Sequence, residues 1–271
     1  MCTPSGEHAA QAIKALDANK FVVCEKPMAI KTTDALDMIN ASKRSDAELF
    51  IVKQNRFNDT VLQVADLIKN KSLGDIHFIS CNVFWTRPQD YYDQAPWRGT
   101  WAQDGGAFMN QAIHYFDLVQ LFGGDVQTVS AITATLRRKI EAEDTGSATL
   151  KFTSGGIGSV NVTMLTYPKN LEGSITILGE KGTVKIGGVA LNEVVHWDVE
   201  DVPAPESSGY KTDSVYGFGH EKFYNKVVNW ISKTDTDAIT GFDGIKSLQI
   251  IESCYQSAKN NGSSVDLDKL F

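Results

Sequence analysis

The sequence lacks the segments that place a protein in or across a membrane. Its 271 residues contain no apolar run of the roughly 18–20 residues that span a bilayer. A basic segment followed by an apolar core is also missing from the start, which reads MCTPSGEHAAQAI and does not resemble a signal peptide. We therefore expect a cytoplasmic protein without a membrane partner.

An excess of positive charge is missing as well. Lysine and arginine number 26 against 33 acidic residues, and the net charge is −7. A general nucleic-acid binder needs surplus cations to neutralise phosphates, so this class of partner is excluded. The basic run at residues 137–139 is too short to change this conclusion.

Cysteine is sparse and shows no metal-binding pattern. The four cysteines are scattered at Cys2, Cys24, Cys81 and Cys254, without a C-x-x-C pair or a Cys/His cluster of zinc spacing. No H-E-x-x-H motif and no His/carboxylate set with ligand spacing is present. We expect reduced thiols, as in a cytoplasmic protein, and no metal site.

The first 56 residues alternate between helical and strand patterns. Short continuous apolar runs at 21–24 and 49–52 are typical of buried parallel strands. Helical spacing covers 7–18, and a second helix, capped by Thr32 or Thr33, ends near residue 45. This order predicts an α/β fold whose residues 1–56 form the second half of a Rossmann-type doubly wound domain.

The pattern changes after Arg56 and predicts a second domain over residues 57–271. Helices are expected at 59–70, 105–122, 218–232 and 243–260, and an aromatic-rich loop at 86–104. Strands are expected at 76–85 and then six times between 126 and 199, separated by glycine-containing turns. The second domain is therefore predicted to be α/β with an open, mostly antiparallel mixed sheet.

A glycine-rich phosphate-binding loop is not found. A dinucleotide fold begins with a strand, a Gly-x-Gly-x-x-Gly turn and a helix that receives the pyrophosphate. The nearest string begins at Gly156, has Asn161 in its last position and lies between strands, so it predicts a hairpin. A complete fold would need about two and a half more βαβ units, on the order of 80 residues, before Met1. We expect a fragment, a late-start reading frame or a natural truncation.

Three short motifs occur in one order along the chain: residues 3–8 (TPSGEH), 25–27 (EKP) and 55–57 (NRF). Together they resemble the Gfo/Idh/MocA oxidoreductases. The segments 91–101 (YYDQAPWRGTW), 104–106 (DGG), 109–114 (MNQAIH) and 216–220 (YGFGH) resemble the branch that oxidises the 3-hydroxyl of UDP-N-acetylglucosaminuronate. The resemblance implies NAD as cofactor and a nucleotide sugar as substrate. NADP stays open, because the acidic residue that selects NAD would precede Met1.

Two side chains are the candidates for the chemistry. Oxidising an alcohol removes a hydride from carbon and a proton from oxygen, which suits a base of near-neutral pKa or a lysine of lowered pKa. Lys26 follows a predicted parallel strand, where α/β proteins bind ligands, and the resemblance implies a catalytic lysine there. Asn110 and His114 are four residues apart on a predicted helix and should share a face. We expect His114 to accept the proton and Lys26 to hydrogen-bond the same oxygen, and the reverse assignment stays open.

The position of Asn110 raises a question about His114. Many family members carry aspartate there, and the resemblance places asparagine in the nucleotide-sugar branch. The change removes a carboxylate that would orient His114, so its tautomer must be held by another partner, which the sequence does not identify.

The resemblance also implies further binding residues. Those near the cofactor are Thr3, Pro4, Ser5, His8, Glu25, Lys26 and Arg56, with Trp97 and Arg98 reaching the cofactor of this or a neighbouring subunit. A nucleotide sugar with phosphates and a carboxylate needs cationic and aromatic partners. The substrate-binding candidates are Lys26, Arg87, Tyr92, Asn110, Gln111, His114 and Tyr216. By analogy with the family, we expect a homodimer or homotetramer formed through the sheet.

Two other interpretations remain at this point. The chain is another sugar or inositol dehydrogenase of the family, which the Asn110–Gln111 pair and the WRGTW segment disfavour. Alternatively, it binds no cofactor and is an inactive, oligomerising sheet domain. In that case Val22, Val23, Phe50 and Ile51 should lie at an uncovered edge that favours association.

Overall fold

The amino-terminal part of the chain forms a small parallel sheet between helices. A computed structural model describes residues 1–205, 217–268 and 270. Strands β1 (Val22–Cys24) and β2 (Leu49–Ile51) pair in parallel, with Val22 opposite Leu49. A 3₁₀ turn (Ser5–Glu7) leads into α1 (His8–Asp17), and α2 (Thr32–Arg44) connects the two strands. The predicted helix–strand–helix–strand order is confirmed.

The first residue of the chain runs alongside β1. The amino group of Met1 donates to the carbonyl of Val23 at 2.6 Å, and the Glu25 N–H donates to the carbonyl of Met1 at 3.0 Å. Successive residues of a strand hydrogen-bond to opposite sides, so Met1 lies on the side of β1 away from β2.

The start of α2 differs from the prediction. The cap position is Lys31, not Thr32 or Thr33, and no side chain caps this end. Instead the Thr32 N–H donates to Glu252 Oε2 at 2.8 Å. A carboxylate from a distant helix therefore satisfies the free N–H group, which a local sequence pattern cannot reveal.

The edge beside β2 is covered. Phe50 is fully buried, and its ring meets Trp230 edge-on at 5.3 Å between centroids. The Ile51 N–H donates to the carbonyl of Ile239 at 3.0 Å. The expectation that Val22, Val23, Phe50 and Ile51 lie at an uncovered edge is wrong. Val23 is half-buried and the other three are buried, because the carboxyl-terminal helices fold back over this sheet.

Among the described residues, the second sheet has eight strands and is open. Its spatial order is β10-β4-β5-β6-β3-β7-β8-β9, and all neighbours are antiparallel except β3 and β6. In chain order the strands are β3 Ile76–Phe84, β4 Val126–Ala134, β5 Thr145–Phe152, β6 Ile157–Thr163, β7 Glu172–Gly179, β8 Gly182–Gly187, β9 Glu193–Val199 and β10 Val265–Asp266. The predicted fold class is confirmed, and only the two-residue β10 was too short to predict.

One face of this sheet packs against helices, and the other face carries rows of polar side chains beside exposed apolar ones such as Ile132 and Ile157. The remaining helices are α3 Asp59–Lys69, α4 Gln89–Asp93, α5 Ile113–Gly123, α6 Gly219–Ile231 and α7 Gly241–Lys259. Helices α5 and α7 cover the apolar face. On the opposite face Ser147 Oγ donates to Asn161 Oδ1 at 2.7 Å, and Asn161 Nδ2 donates to Asn82 Oδ1 at 3.1 Å. This alternation is typical of antiparallel sheets with a single packed face.

The predicted helix at 105–122 is interrupted. Residues Ala107–Gln111 form a π-helical turn, and α5 begins only at Ile113. Asn110 and His114 therefore belong to different elements, and the expectation of one regular helix is wrong. The loop predicted at 86–104 also contains α4, whose five residues are too few to show a period.

Candidate active site

A cavity of about 450 Å³ lies where the amino-terminal sheet meets α5. Its floor comes from the carboxyl ends of β1 and β2, where Lys26, Gln54 and Asn55 follow the strands. The π-helical turn and α5 contribute Asn110 and His114. Five predicted residues thus meet in one cavity: Lys26, Arg87, Asn110, Gln111 and His114. A larger cavity of about 800 Å³ beside Trp101 and Tyr255 contains none of the predicted site residues.

Lys26 is held at the cavity by the backbone of the π-helical turn. Its Nζ donates to the carbonyl of Asn110 at 2.8 Å. Burial lowers the pKa of Lys26, while Glu25 and Asp104 act in the opposite direction. An ammonium has three N–H donors, so Lys26 keeps donors for a ligand oxygen.

His8 supports the loop that carries Lys26. Its ring is buried, with Nδ1 at 2.8 Å from the carbonyl of Pro27 and Nε2 at 2.9 Å from the carbonyl of Thr3. Both ring nitrogens are therefore occupied by backbone oxygens. The prediction that His8 contacts the cofactor finds no support, since the ring instead ties α1 to the turn after β1.

His114 is buried at the start of α5, and its surroundings favour the neutral imidazole. Burial, reinforced by Lys26 and Lys53, holds its pKa well below the usual value, against the opposing effect of Asp117. A neutral imidazole has one free lone pair and can accept a proton. The group thus has the protonation state that a general base requires.

The unidentified partner of His114 is Gln54. The amide Nε2 of Gln54 lies 3.2 Å from the imidazole Nε2. Sequence reasoning missed Gln54 as a site residue, although its place directly after the second buried strand was a usable signal. Among the described residues, neither the Nδ1 of His114 nor the Oε1 of Gln54 has a hydrogen-bond partner.

Asn110 is fixed by a buried carboxylate that sequence reasoning also missed. Its side-chain amide donates to Asp104, which in addition accepts the Gly99 N–H at 2.7 Å. Gln111 Nε2 donates to the side-chain oxygen Oδ1 of Asn110 at 2.8 Å. Burial raises the pKa of Asp104, and the Asn110 amide and Lys26 oppose this. A carboxylate therefore still lies close to Lys26, but it belongs to Asp104 and not to residue 110.

Arg87 and Tyr91 form the cationic and aromatic wall of the cavity. Arg87 Nε donates to Gln111 Oε1 at 3.0 Å, and its guanidinium lies 5.5 Å from the centre of the Tyr91 ring. The Tyr91 hydroxyl accepts from Arg98 Nη1 at 2.7 Å. Tyr92, which was predicted to bind substrate, is buried and does not line the cavity. Its neighbour Tyr91 does, and the two rings pack edge-on at 5.1 Å between centroids.

The predicted cofactor residue Arg56 has other partners. Its guanidinium donates to both oxygens of Asp117, at 2.7 and 2.8 Å, and to Asp243 at 3.2 Å. The buried Lys53 joins this cluster, with Nζ at 2.7 Å from Ser247 Oγ and 3.4 Å from Asp117. These bonds fasten the end of β2 to α5 and α7, and a cofactor contact of Arg56 stays a prediction.

The other predicted cofactor residues lie outside the cavity wall. Thr3, Pro4 and Ser5 form the turn into α1, and Glu25 precedes Lys26. The guanidinium of Arg98 lies over the rings of Tyr91 and Trp97, at 4.4 and 4.7 Å. Contacts of Thr3, Pro4, Ser5, Glu25, Trp97 and Arg98 with a cofactor remain predictions. Tyr216 lies outside the described residues.

The cavity suits a ligand that donates hydrogen bonds. Two buried amide oxygens in its wall, Gln54 Oε1 and Asn55 Oδ1, have no partner among the described residues. Buried acceptors without partners are costly, and a bound hydroxyl or carboxamide would satisfy them. The residues present therefore fit the nicotinamide end of a dinucleotide beside a sugar.

The part of the chain that the structure describes contains neither a metal-binding cluster nor a membrane-spanning helix. Within residues 1–205, 217–268 and 270, no group of three or more His, Cys, Asp or Glu side chains is arranged to hold a metal ion. In the same part of the chain no helix has both the length and the apolar character needed to cross a membrane.

Family models match most of the chain. The model of the oxidoreductase family C-terminal α/β domain matches residues 65–267, and the model of its NAD-binding Rossmann fold matches residues 1–53. Both matches fall on the parts of the chain to which the sequence assigned these two folds.

Solved structures resemble the chain over its whole length. The WlbA dehydrogenase of Bordetella pertussis, solved in complex with NADH and UDP-GlcNAcA, is 49% identical with a TM-score of 0.94, covering 99% of this chain and 79% of that one. The WlbA dehydrogenase of Chromobacterium violaceum, with the same two ligands, is 48% identical with a TM-score of 0.92, covering 100% of this chain and 77% of that one.

Curated relatives are more distant. The myo-inositol 2-dehydrogenase of Thermotoga maritima is 27% identical over 73% of this chain, which spans 58% of that protein. The glucose-6-phosphate 3-dehydrogenase of Bacillus subtilis is 25% identical over 96% of this chain, which spans 79% of that protein.

Proposed function

Because the chain belongs to the Gfo/Idh/MocA oxidoreductase family, we propose that it is an NAD-linked dehydrogenase of a nucleotide sugar. The substrate class we assign is a UDP-N-acetylglucosaminuronate-like sugar, oxidised at its 3-hydroxyl. Identities of 49% and 48% to two dehydrogenases solved with NADH and UDP-GlcNAcA support this assignment. The lower identity to the inositol dehydrogenase, 27%, makes that activity the weaker alternative.

One observation supports the proposal above the others. Lys26 and His114 come from distant parts of the chain and line the same cavity, each with its pKa lowered by burial. An alcohol dehydrogenation needs such a pair, since one group must accept a proton while a second stabilises the oxygen that loses it.

The chemistry divides into two transfers. Oxidation of a secondary alcohol breaks one C–H bond and one O–H bond, and NAD, when bound, accepts the hydride. In our proposal the Nε2 of His114 accepts the hydroxyl proton. Lys26 donates a hydrogen bond to the same oxygen and stabilises its developing negative charge. The carbonyl of Asn110 holds the Lys26 ammonium in place for this task.

Arg87 gives the site its preference for an acidic sugar. Its Nε and Nη1 are used by Gln111 and by the carbonyl of Thr86, which fix the guanidinium plane in the cavity wall. Arginine binds carboxylates and phosphates through two parallel N–H groups. We assign Arg87 to the carboxylate or diphosphate of the substrate, with the ring of Tyr91 beside it.

The remaining assignments follow from the same fold. We assign residues 1–56 to the cofactor part and residues 57–271 to the substrate and oligomerisation part, which the matches to residues 1–53 and 65–267 support. Helices leave one face of the eight-stranded sheet uncovered. We expect this face to join two or four copies of the chain. The four free cysteines support a reducing, cytoplasmic location.

The test is a substrate panel followed by NADH formation. Purified protein is mixed with NAD and with UDP-N-acetylglucosaminuronate, UDP-N-acetylglucosamine or myo-inositol. We expect NADH only with the first sugar, and none from a His114→Asn variant. NADH formation from myo-inositol alone would establish the alternative, and no binding of NADH or sugar by calorimetry would show an inactive sheet domain.

A further inference from the structure

We propose that Gln54 is a positioning residue that keeps the Nε2 of His114 unprotonated and directed at the cavity. The proposal rests on the function proposed above, in which that nitrogen accepts the hydroxyl proton of the substrate. The contact itself is independent of the function and can be tested without a substrate.

The contact joins two nitrogen atoms, and this determines its direction. Gln54 Nε2 and His114 Nε2 lie 3.2 Å apart in a buried environment. An amide nitrogen can only donate, so the imidazole nitrogen must accept. A neutral imidazole that accepts at Nε2 carries its proton at Nδ1. The Gln54 amide therefore selects the tautomer whose Nε2 is unprotonated, and this nitrogen can take the substrate proton once the hydroxyl replaces the amide N–H.

Both partners of this hydrogen bond are fastened by one ion cluster. Lys53 directly precedes Gln54, Arg56 follows it by two residues, and both bind Asp117. Asp117 lies three residues after His114 on α5, so the helix that carries the imidazole is tied to the turn that carries the amide.

Helix α6 also packs closely against the backbone of Gln54. A Cβ atom on Gly219, the first residue of α6, would lie 2.0 Å from the Gln54 carbonyl oxygen. Only glycine allows α6 to approach this closely. The amide is thus carried by a segment that is fixed from three helices, as positioning of a base requires.

The charges around His114 agree with an acceptor nitrogen. Lys26 after β1 and Lys53 after β2 both lower its pKa, as does His220 on α6, and burial is the largest cause. Asp117 on its own helix raises the pKa. With the cations prevailing, the imidazole stays neutral and depends on a neutral donor such as Gln54 for its orientation.

The free oxygen of the amide gives Gln54 a second use. When Nε2 takes the proton of the substrate hydroxyl, it becomes a donor and the amide N–H must turn away. Gln54 Oε1 is buried without a partner among the described residues. Rotation of the amide by half a turn presents this oxygen to the new N–H, so one side chain serves both protonation states of the base.

The experiment measures the tautomer and pKa of His114 by NMR on histidine labelled with ¹⁵N. The chain has five histidines, and a His114→Asn variant assigns the signal. In the unchanged protein we expect a protonated Nδ1 and an unprotonated Nε2. In Gln54→Glu, a carboxylate of the same shape can only accept, so the proton moves to Nε2 and the pKa of His114 rises by about 1–3 units.

Asn55→Asp is the matched control. It makes the same amide-to-carboxylate change one residue further, in the same cavity wall, where the Asn55 oxygen has no hydrogen-bond partner among the described residues. We expect a smaller rise in the pKa of His114 and no change of tautomer. Should Gln54→Glu fold poorly by circular dichroism, Gln54→Met removes the donor without adding charge, and the two tautomers become mixed.

The outcomes separate this proposal from the proposed function. A protonated Nε2 in the unchanged protein, or an equal effect of Asn55→Asp and Gln54→Glu, overturns the role of Gln54. The expected tautomer shift together with no NADH formation from any substrate supports the role of Gln54 and overturns the dehydrogenase assignment instead.

Discussion

Replacement of Asp117 by asparagine should destabilise the protein far more than the loss of a surface ion pair. Asp117 is 1% exposed and accepts from Arg56 while lying 3.4 Å from Lys53 Nζ. Burial alone would raise its pKa, but Arg56 and Lys53 outweigh burial and hold the pKa at about 2, against an ordinary 3.8. At about 1.36 kcal/mol per pKa unit, this shift corresponds to roughly 2 kcal/mol of stability.

The full cost should be higher than this figure. In Asp117→Asn, Arg56 keeps Asp243, but the buried ammonium of Lys53 loses the carboxylate of its ion pair and keeps the neutral Ser247 hydroxyl. Removing one partner of a buried ion pair typically costs about 3–5 kcal/mol, because the other charge stays buried without compensation. We therefore expect the free energy of unfolding to fall by about 3–5 kcal/mol.

The measurement is urea unfolding at pH 7, followed by the fluorescence of the five tryptophans. Asp17→Asn is the control, because Asp17 pairs with Arg44 at 2.7 Å with both side chains about half exposed. A surface pair of this kind contributes less than about 1 kcal/mol. Equal losses in the two variants would refute the reasoning.

The pH dependence gives an independent check on Asp117. A carboxyl group whose pKa is lower in the folded protein contributes stability that is fully present above its unfolded pKa and is lost as the pH falls through its folded pKa. The contribution of Asp117 should therefore disappear between about pH 4 and pH 2. Asp117→Asn should lack this part of the acid-induced loss, and an unchanged acid profile would contradict the assignment.

Two further predictions concern Arg87 and Glu143. Arg87→Gln removes a charged hydrogen bond worth about 1.5–3 kcal/mol, so the KM for the acidic nucleotide sugar should rise about 10–100-fold in initial-rate measurements. The control is inhibition by UDP-N-acetylglucosamine, which lacks the sugar carboxylate and should be weakened less if Arg87 binds that carboxylate. Burial raises the pKa of Glu143 to about 7, against the hydrogen bonds from the Phe108 N–H and the Tyr255 hydroxyl. A raised carboxyl pKa means that the folded state binds the extra proton, so stability should fall as the pH rises from about 4.5 to 7. Glu143→Gln should flatten this part of the stability profile, and a profile identical to that of the unchanged protein would show that Glu143 is ionised throughout.

The strands that form the cavity floor were predictable because their signal is local. Residues 21–24 and 49–52 are continuous apolar runs, and β1 and β2 fall within them. The carboxyl ends of neighbouring parallel strands meet at one edge, so Lys26 could be placed at a binding site from the sequence alone. Gln54 occupies the equivalent place after β2, and the same reasoning would have found it.

The partners of these side chains were not predictable, because each comes from a distant segment. Lys26 meets the carbonyl of Asn110 across 84 residues, and Arg56 meets Asp243 across 187 residues. A motif such as NRF marks Arg56 as notable but cannot show whether its guanidinium faces a ligand or a buried carboxylate. The fold decides, and here Asp117 and Asp243 each accept from the Arg56 guanidinium.

The interruption of the helix before His114 explains why asparagine is acceptable at position 110. On a regular helix the side chain at 110 would lie one turn before His114, and a carboxylate there would be its natural partner. The π-helical turn instead directs the Asn110 amide to Asp104 and its carbonyl to Lys26. Orientation of His114 then passes to Gln54, while Asp104 keeps a negative charge near Lys26. Two tasks that one carboxylate could perform are thus divided between the Gln54 amide and the buried Asp104. Asn110→Asp would therefore place a second carboxylate against Asp104 without restoring contact with the imidazole.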